Sequence, residues 1–300
     1  MKSSILVVGS SNTDMVIKTA HLPAPGETIL GGTFLMNPGG KGANQAVAAS
    51  RLGGDVTLIC KTGNDIFGKQ SVQIFKQEGI DTTSVFEDPQ QPSGIALITV
   101  DDNGENCIAV ASGANACLTI KDIKQAAHCI EKAAIILMQL EIPVETVLYV
   151  ASVASALNKK IILNPAPVCP LNDELLKLIS IITPNETEAF MLTGIKIKDE
   201  ATAEEAARFL HAKSIATVII TLGAKGALVF DNNICSFVHA PKVSATDTTA
   251  AGDVFNGALA VALSENKTIV EAVEFACKAA SVSVTRLGAQ ASAPYKHELN

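Results

Sequence analysis

Between residues 134 and 221 the chain repeats one unit, a short unbroken apolar run followed by a helical stretch. The runs at 134–138, 160–163, 179–182 and 217–221 are four or five residues long. They are too short for helices and lack the polar alternation of a half-exposed strand, so they suit strands covered on both faces. Helical patterns at 143–157, 172–178, 186–193 and 202–212 separate them. That is the βαβ rhythm, whose crossovers build a parallel sheet. The run from Ile5 to Gly9, helix 41–52, strand 56–60, helices 66–77 and 120–132, and two Ala-rich helices between 247 and 288 extend it. Only 4% of residues are aromatic and Trp is absent, against 48% hydrophobic overall. Ala, Val, Ile and Leu must therefore fill the core, as in an α/β fold with helices on both sheet faces.

Two segments break the rhythm. From 12 to 37, short alternating stretches are punctuated by Pro23, Pro25, Gly26, Gly31 and Gly32, which indicates strands and turns. From 93 to 111, two apolar runs flank Asp101-Asp102-Asn103-Gly104, and Asn-Gly between such runs signals a hairpin. The two insertions are expected to meet as a small sheet over the strand ends, a lid on one domain spanning 1–300.

The net charge is −7, with Lys and Arg scattered, which argues against a nucleic-acid partner. No apolar stretch approaches the ~18 residues of a membrane span. The seven Cys form no C-x-x-C pair, and no two of the five His stand four apart. This disfavours a disulfide framework or a zinc site and suits a reducing compartment. With no secretory signal at its start, the chain is expected to be cytoplasmic.

In an open parallel sheet, ligands gather beyond the C-terminal strand ends. Asp247-Thr248-Thr249-Ala250-Ala251-Gly252-Asp253 opens a helix, and Ala250, Ala251 and Gly252 leave its first amides uncovered, which makes an anion site. A carboxylate at its lip, Asp253, suits a general base acting on a hydroxyl beside a held phosphoryl group. The plain alternative is a helix-terminal charge favoured by the dipole. Gly39-Gly40-Lys41-Gly42-Ala43-Asn44 is neither a Walker A loop nor G-x-G-x-x-G. It is either a tight turn or a close backbone approach in which Lys41 and Asn44 serve hydroxyls. Asn12 and Asp14 follow the first strand as a polyol-binding pair, or as an Asx turn. Asn185 and Glu188, one helical turn apart, fit either a hydrated Mg²⁺ or an acidic helix start. Thr221-Leu222-Gly223-Ala224-Lys225-Gly226 is a two-glycine turn that could embrace a nucleotide.

The run from Gly39 through Asn44, Gln45 and Ala46, with Gly53 and Gly63, resembles the N-terminal signature of the ribokinase-like (PfkB-type) carbohydrate kinases. Asp247 to Asp253 with Gly257-Ala258 resembles their C-terminal signature, so the likeness covers essentially the whole chain. It implies a doubly wound α/β domain, a β-sheet lid that often builds a homodimer, and transfer of the γ-phosphoryl of ATP to a sugar hydroxyl. It implies Asp253 as base, Ala250 to Gly252 as anion hole, and Asn12, Asp14, Gly40, Lys41, Asn44 and Glu141 on the sugar. Asn185, Thr221 to Gly226, Gly252 and Cys277 would line the nucleotide site. A monovalent cation, K⁺, would sit by Asp247, Thr249, Ser283, Arg286, Gly288 and Ser292, largely on backbone carbonyls. Gly39 to Ala49 and Thr285 to Gln290 most resemble the members that act on D-ribose. A kinase of 2-deoxyribose, fructose or a nucleoside and a silent sugar-binding protein stay open. A Rossmann dehydrogenase is disfavoured because Gly9-Ser10-Ser11-Asn12 lacks the dinucleotide fingerprint.

Overall fold

The computed structural model describes residues 3–299. The apolar run near the start forms β1 (Ser4–Val8), and its alternation explains the layering. Ile5 and Val7 pack into one hydrophobic cluster while Leu6 and Val8 pack into another. Successive side chains of a strand point to opposite faces, so both faces of β1 are core. The chain then makes β2 (Asn12–Lys18) and β3 (Thr33–Gly39), and enters helix α1 (Lys41–Arg51). After it come β4 (Asp55–Gly63), α2 (Ile66–Gln77) and the short β5 (Val85–Asp88). The Asn-Gly turn joins β6 (Gly94–Val100) to β7 (Asn106–Ala111).

Where one helix is expected over 120–132, the structure has two, α3 (Ile120–Gln125) and α4 (Ala127–Lys132). The break is at Ala126, whose φ of −99° and ψ of 18° leave the helical basin, with Thr119 and Asp122 completing a capping box for α3. The repeating half follows as β8 (Ile135–Met138), α5 (Val144–Ala156), β9 (Lys160–Leu163), α6 (Asp173–Leu176) and β10 (Ile181–Ile182). Then come α7 (Glu186–Thr193), α8 (Glu200–His211), β11 (Thr217–Thr221) and the hairpin β12 (Gly226–Asp231) and β13 (Ile234–His239). Helices α9 (Ala251–Ser264) and α10 (Ile269–Ser283) close the fold.

Among the described residues the main sheet has nine strands in the order β13-β12-β11-β10-β9-β8-β1-β4-β5. All neighbours are parallel except the β11-β12 and β12-β13 pairs. One core cluster joins the sheet to α1, α9 and α10, and the other joins it to α5, α7 and α8. Every residue of α9 from Asp253 to Ser264 is buried, which is why the helix has apolar residues on every side, Asp253, Asn256 and Ser264 being its buried polar exceptions. From β1 the chain moves outward through β4 to β5, then resumes on the other side of β1 with β8. The winding therefore reverses between β1 and β8, and the crevice beyond their C-terminal ends is the favoured ligand position.

A second sheet has the order β3-β2-β6-β7. Strand β2 runs antiparallel to β3 and parallel to β6, with Asn12 opposite Gly39 and Gly94. Asn12 and Asp14 share one face. Toward the free end, Phe34, Met36 and Leu97 on one face and Ile108 and Val110 on the other are each at least 45% exposed, and β7 is an open edge. No helix among the described residues is long and apolar enough to cross a membrane.

Candidate functional site

Helix α9 starts without a side-chain cap. Helices α2, α7, α8 and α10 each satisfy their first turn with Asp65, Asn185, Asp199 or Thr268. In α9 the preceding residue is Ala250 in the left-handed region, φ 58°, and the first i→i−4 bond runs from Val254 N to Ala250 O at 2.9 Å. Ala251 N donates to Thr248 O, so the amides of Gly252 and Asp253 stand ahead of the ladder. A Cβ built on Gly252 would meet nothing within 4 Å. Glycine there is not forced by packing and leaves its amide bare. An αL alanine is a strained choice, and such strain concentrates at functional sites.

Asp253 is 6% exposed. Burial pushes its carboxyl pKa up, opposed by Lys41 and by hydrogen bonds from Asn44 and Gln45. Asn44 Nδ2 donates to Asp253 Oδ2 at 2.9 Å, and Gln45 Nε2 donates to Oδ1 at 3.0 Å. Asn44 Oδ1 is buried with no partner. An orphaned acceptor beside a base is where a ligand hydroxyl is wanted.

The N-terminus of α1 closes on the same point. Lys41 N donates to Glu141 Oε2 at 3.0 Å, and Ala43 N donates to Ser10 O at 2.8 Å. Ser10 Oγ donates to the same Glu141 oxygen. Gly40, at φ 87°, has no room for a side chain, because a Cβ would stand 2.6 Å from Asn12 N. Asp14 faces this crevice with its pKa raised to about 6 by burial, then by Glu141 and Asp253, against Lys41. Burial works against the charge of Lys41, but Asp253, Glu141, Glu188 and Asp14 outweigh it and hold its pKa up. The structure thus gathers Asn12, Asp14, Gly40, Lys41, Asn44, Glu141 and Asp253 from four separate chain segments.

Asn115 is a site-supporting residue missed in the sequence. It is 1% exposed, and its Nδ2 donates to Asn12 Oδ1 at 2.7 Å while its Oδ1 accepts from Ser11 N at 2.9 Å. The Gly113-Ala114-Asn115 turn just after a strand was the available signal.

A cavity of about 640 Å³ opens on the other side of the α9 N-terminus. Asn185, Thr221, Gly223, Ala224, Gly226, Ala251, Gly252 and Cys277 line it, as the sequence suggests. Leu222 packs in the core instead, Lys225 is exposed outside the lining, and Ala250 supplies the turn above it. Part of the remaining wall, Pro241, Lys242, Val243 and Ala245 with Phe255 and Ala280, carries no sequence signal. Burial raises the Cys277 thiol pKa to about 12, so it is an apolar wall residue at neutral pH.

Asn185 and Glu188 form a capping box for α7, with bonds of 2.8 and 2.9 Å between each side chain and the other's backbone amide. One Glu188 oxygen is left over, and burial raises this carboxyl's pKa. Asp247 accepts from Thr249 N and Gly288 N, both at 2.9 Å, and Asp247 N donates to Val284 O. This draws the 247–249 and 284–288 loops together. The Ser283 and Ser292 hydroxyls bond to Ala280 O and Ala289 O, and the Arg286 guanidinium pairs with Glu298 at 2.6 Å. No group of three or more His, Cys, Asp or Glu that could hold a metal ion occurs among the described residues.

The pfkB family carbohydrate kinase model matches residues 2–296. The chain is 47% identical to the ribokinase of Haemophilus influenzae over 298 residues, covering 99% of this chain and 97% of that one. It is 36% identical to the deoxyribokinase of Salmonella typhi, covering 99% and 97%. The structure of Arabidopsis thaliana ribokinase complexed with ribose and ATP superposes with a TM-score of 0.92 at 31% identity, covering 100% of this chain and 98% of that one.

Proposed function

We propose that this chain, which belongs to the pfkB family of carbohydrate kinases, transfers the γ-phosphoryl of ATP to the 5-hydroxyl of D-ribose, giving D-ribose 5-phosphate. The observation that carries the reading is the placement of Asp253. It is a buried carboxylate at the mouth of uncapped helix amides, with a polyol-sized polar crevice on one side and a nucleotide-sized cavity on the other.

Asn12, Asp14, Gly40, Lys41, Asn44 and Glu141 bind the sugar, the orphaned Asn44 Oδ1 taking one hydroxyl. Asp253 takes the proton of the attacking hydroxyl; its Asn44 and Gln45 hydrogen bonds favour the ionised form that a base needs. The bare Gly252 and Asp253 amides and the helix dipole stabilise charge on the transferring group. ATP occupies the 640 Å³ cavity, with its base toward Cys277 and Ala280 and its phosphates toward Gly252.

Glu188 would hold Mg²⁺ through its free oxygen, and Mg²⁺ supplies neutralisation of phosphate charge. Asp247 with the carbonyls of Thr249, Ser283, Arg286, Gly288 and Ser292 would hold K⁺, which supports the anion-hole loop. The small sheet of β3, β2, β6 and β7, built from segments 12–39 and 94–111, acts as a lid that excludes water. Its exposed apolar side chains, present on both faces, and its open β7 edge are covered by a second copy in a homodimer.

The test is ADP release with ATP, Mg²⁺ and K⁺, comparing D-ribose, 2-deoxyribose, fructose, adenosine and no sugar. Strong ribose-dependent turnover is expected. Equal or greater turnover with 2-deoxyribose would move the substrate to the second reading, which the Salmonella relative supports.

A further inference from the structure

Behind Asp253 lies a set of buried amides. Gln45 Nε2 donates to Asp253 Oδ1 at 3.0 Å and to Asn164 Oδ1 at 3.1 Å. Gln45 Oε1 accepts from Gln139 Nε2. Asn164 Nδ2 donates to Thr183 O at 3.2 Å, and Thr183 Oγ1 donates to Asn256 Oδ1 at 2.7 Å. Asn256 Nδ2 then donates to Gly252 O at 2.8 Å. The path leaves the carboxylate of Asp253 and returns to the peptide just before it. Gln45, Gln139, Asn164, Thr183 and Asn256 are all 6% exposed or less.

The direction of every bond is forced. An ionised carboxylate only accepts, so Gln45 must present its nitrogen to Asp253. That nitrogen makes Asn164 Oδ1 the acceptor, which turns Asn164 Nδ2 to a carbonyl that also only accepts. At the far end Gly252 O demands Asn256 Nδ2, which leaves Asn256 Oδ1 for the Thr183 hydroxyl. Reversing the Asn164 or Asn256 amide would break two bonds and reversing Gln45 three, and unpaired buried polar groups are costly. The strand ends are shaped for it too. A Cβ on Gly9 would occupy the place of the Gln139 amide oxygen, so glycine there is what lets Gln139 reach Gln45.

We propose that Gln45, Asn164, Thr183 and Asn256 are positioning residues, a closed amide network that holds the Asp253 carboxylate and the Gly252 peptide in fixed relation to each other. The inference rests on Asp253 being the base of the phosphoryl transfer. None of the four can carry a proton away, so the network orients and stabilises the carboxylate without relaying charge. The charged groups around Asp253 are Lys41 from α1, Asp14 from β2, Glu141 after β8 and Glu188 from α7. Lys41 favours ionisation and the three carboxylates oppose it, so the Gln45 donor bears directly on whether Asp253 is ionised at working pH.

The experiment is the pH dependence of the single-turnover phosphoryl-transfer rate for the parent, Gln45→Leu, Gln45→Met and Asn164→Leu. Loss of the Gln45 donor should move the acidic limb upward by about one pH unit, roughly tenfold slower transfer on that limb, while KM for the sugar changes less than about threefold. Asn164→Leu should move it the same way by less, because it frees Gln45 to turn. A folded Gln45→Leu or Gln45→Met protein whose acidic midpoint matches the parent's overturns the proposal, whatever happens to its melting temperature. If Gln45→Leu fails to fold, Gln45→Met and Asn164→Leu decide by the same midpoint. A parent protein without sugar-dependent turnover, or with an acidic limb unchanged in Asp253→Asn, would instead overturn the assignment of the base.

Discussion

Replacing Asp14 by Asn should stabilise the sugar-free protein while it weakens the enzyme. Asp14 is held among the carboxylates of Glu141 and Asp253, is largely shielded from water, and accepts no hydrogen bond from any described residue. Its pKa rises from 3.8 to about 6. Two units at about 1.36 kcal/mol each put roughly 3 kcal/mol of penalty on the ionised folded state. The sign follows from proton binding. The folded protein holds the Asp14 proton more tightly than the unfolded chain does. Stability is therefore lost as pH rises from about 4 to about 6, and the penalty is complete above that window. An uncharged isostere escapes it, so Asp14→Asn should raise the melting temperature at pH 8 by about 5 °C for a chain of this length. The gain should vanish toward pH 4, where the parent carboxyl is protonated too. The assay is scanning calorimetry of both proteins without ATP or sugar at pH 8, 6 and 4. In turnover, the same variant should lose on the order of 10–100-fold in kcat/KM for ribose, the value of a hydrogen bond to a charged group. An Asn variant no more stable than the parent at pH 8, or a gain that persists undiminished at pH 4, would refute the electrostatic reasoning.

Gly252→Ala should melt at or slightly above the parent, because the added methyl meets open space and alanine favours a helix by about 0.5–1 kcal/mol; its kcat should fall because the methyl crowds the bare amide. Normal kcat in a folded Gly252→Ala protein would remove that amide from the anion hole. Asn115→Ala should raise the sugar KM about tenfold with a smaller change in kcat, since Asn12 loses its orienting donor, and should lower stability by about 1–3 kcal/mol through the stranded Ser11 N–H. Steady-state kinetics with a melting curve reads both.

The parts of the fold visible in the sequence are those whose burial is complete. β1, β8, β9 and β11 read as strands because both faces are core and the apolar run is unbroken. β5 escaped, since Val85–Asp88 is half exposed at a sheet edge and owes its state to pairing with Cys60–Gly63. The break at Ala126 has neither Gly nor Pro to announce it. The two insertions read as strands from their turn chemistry. That the two insertions form one sheet was expected and is found, but the parallel pairing of β2 with β6 that joins them is a long-range contact without local trace.

The site divides in the same way. Gly39–Asn44 and Asp247–Asp253 were legible because a bare turn before a helix is a local pattern with a local cause. Asn115, Gln139, Asn164 and Asn256 are single amides whose meaning comes from partners up to 119 residues away. Gln45 was visible within a motif, but its bond to Asp253 spans 208 residues and arises only when α1 packs on α9. Lys242 and Val243, on the wall of the large cavity, lie in irregular chain that no periodicity marks.

The measurement that tests the central claim most directly is the turnover of Asp253→Asn with ATP and D-ribose, alongside its affinity for each. Asn keeps the shape of the side chain, accepts through one oxygen instead of two, and cannot take a proton. The account predicts a folded protein that binds both substrates and turns over on the order of 10²–10⁴-fold more slowly. Near-normal turnover in that protein would contradict it.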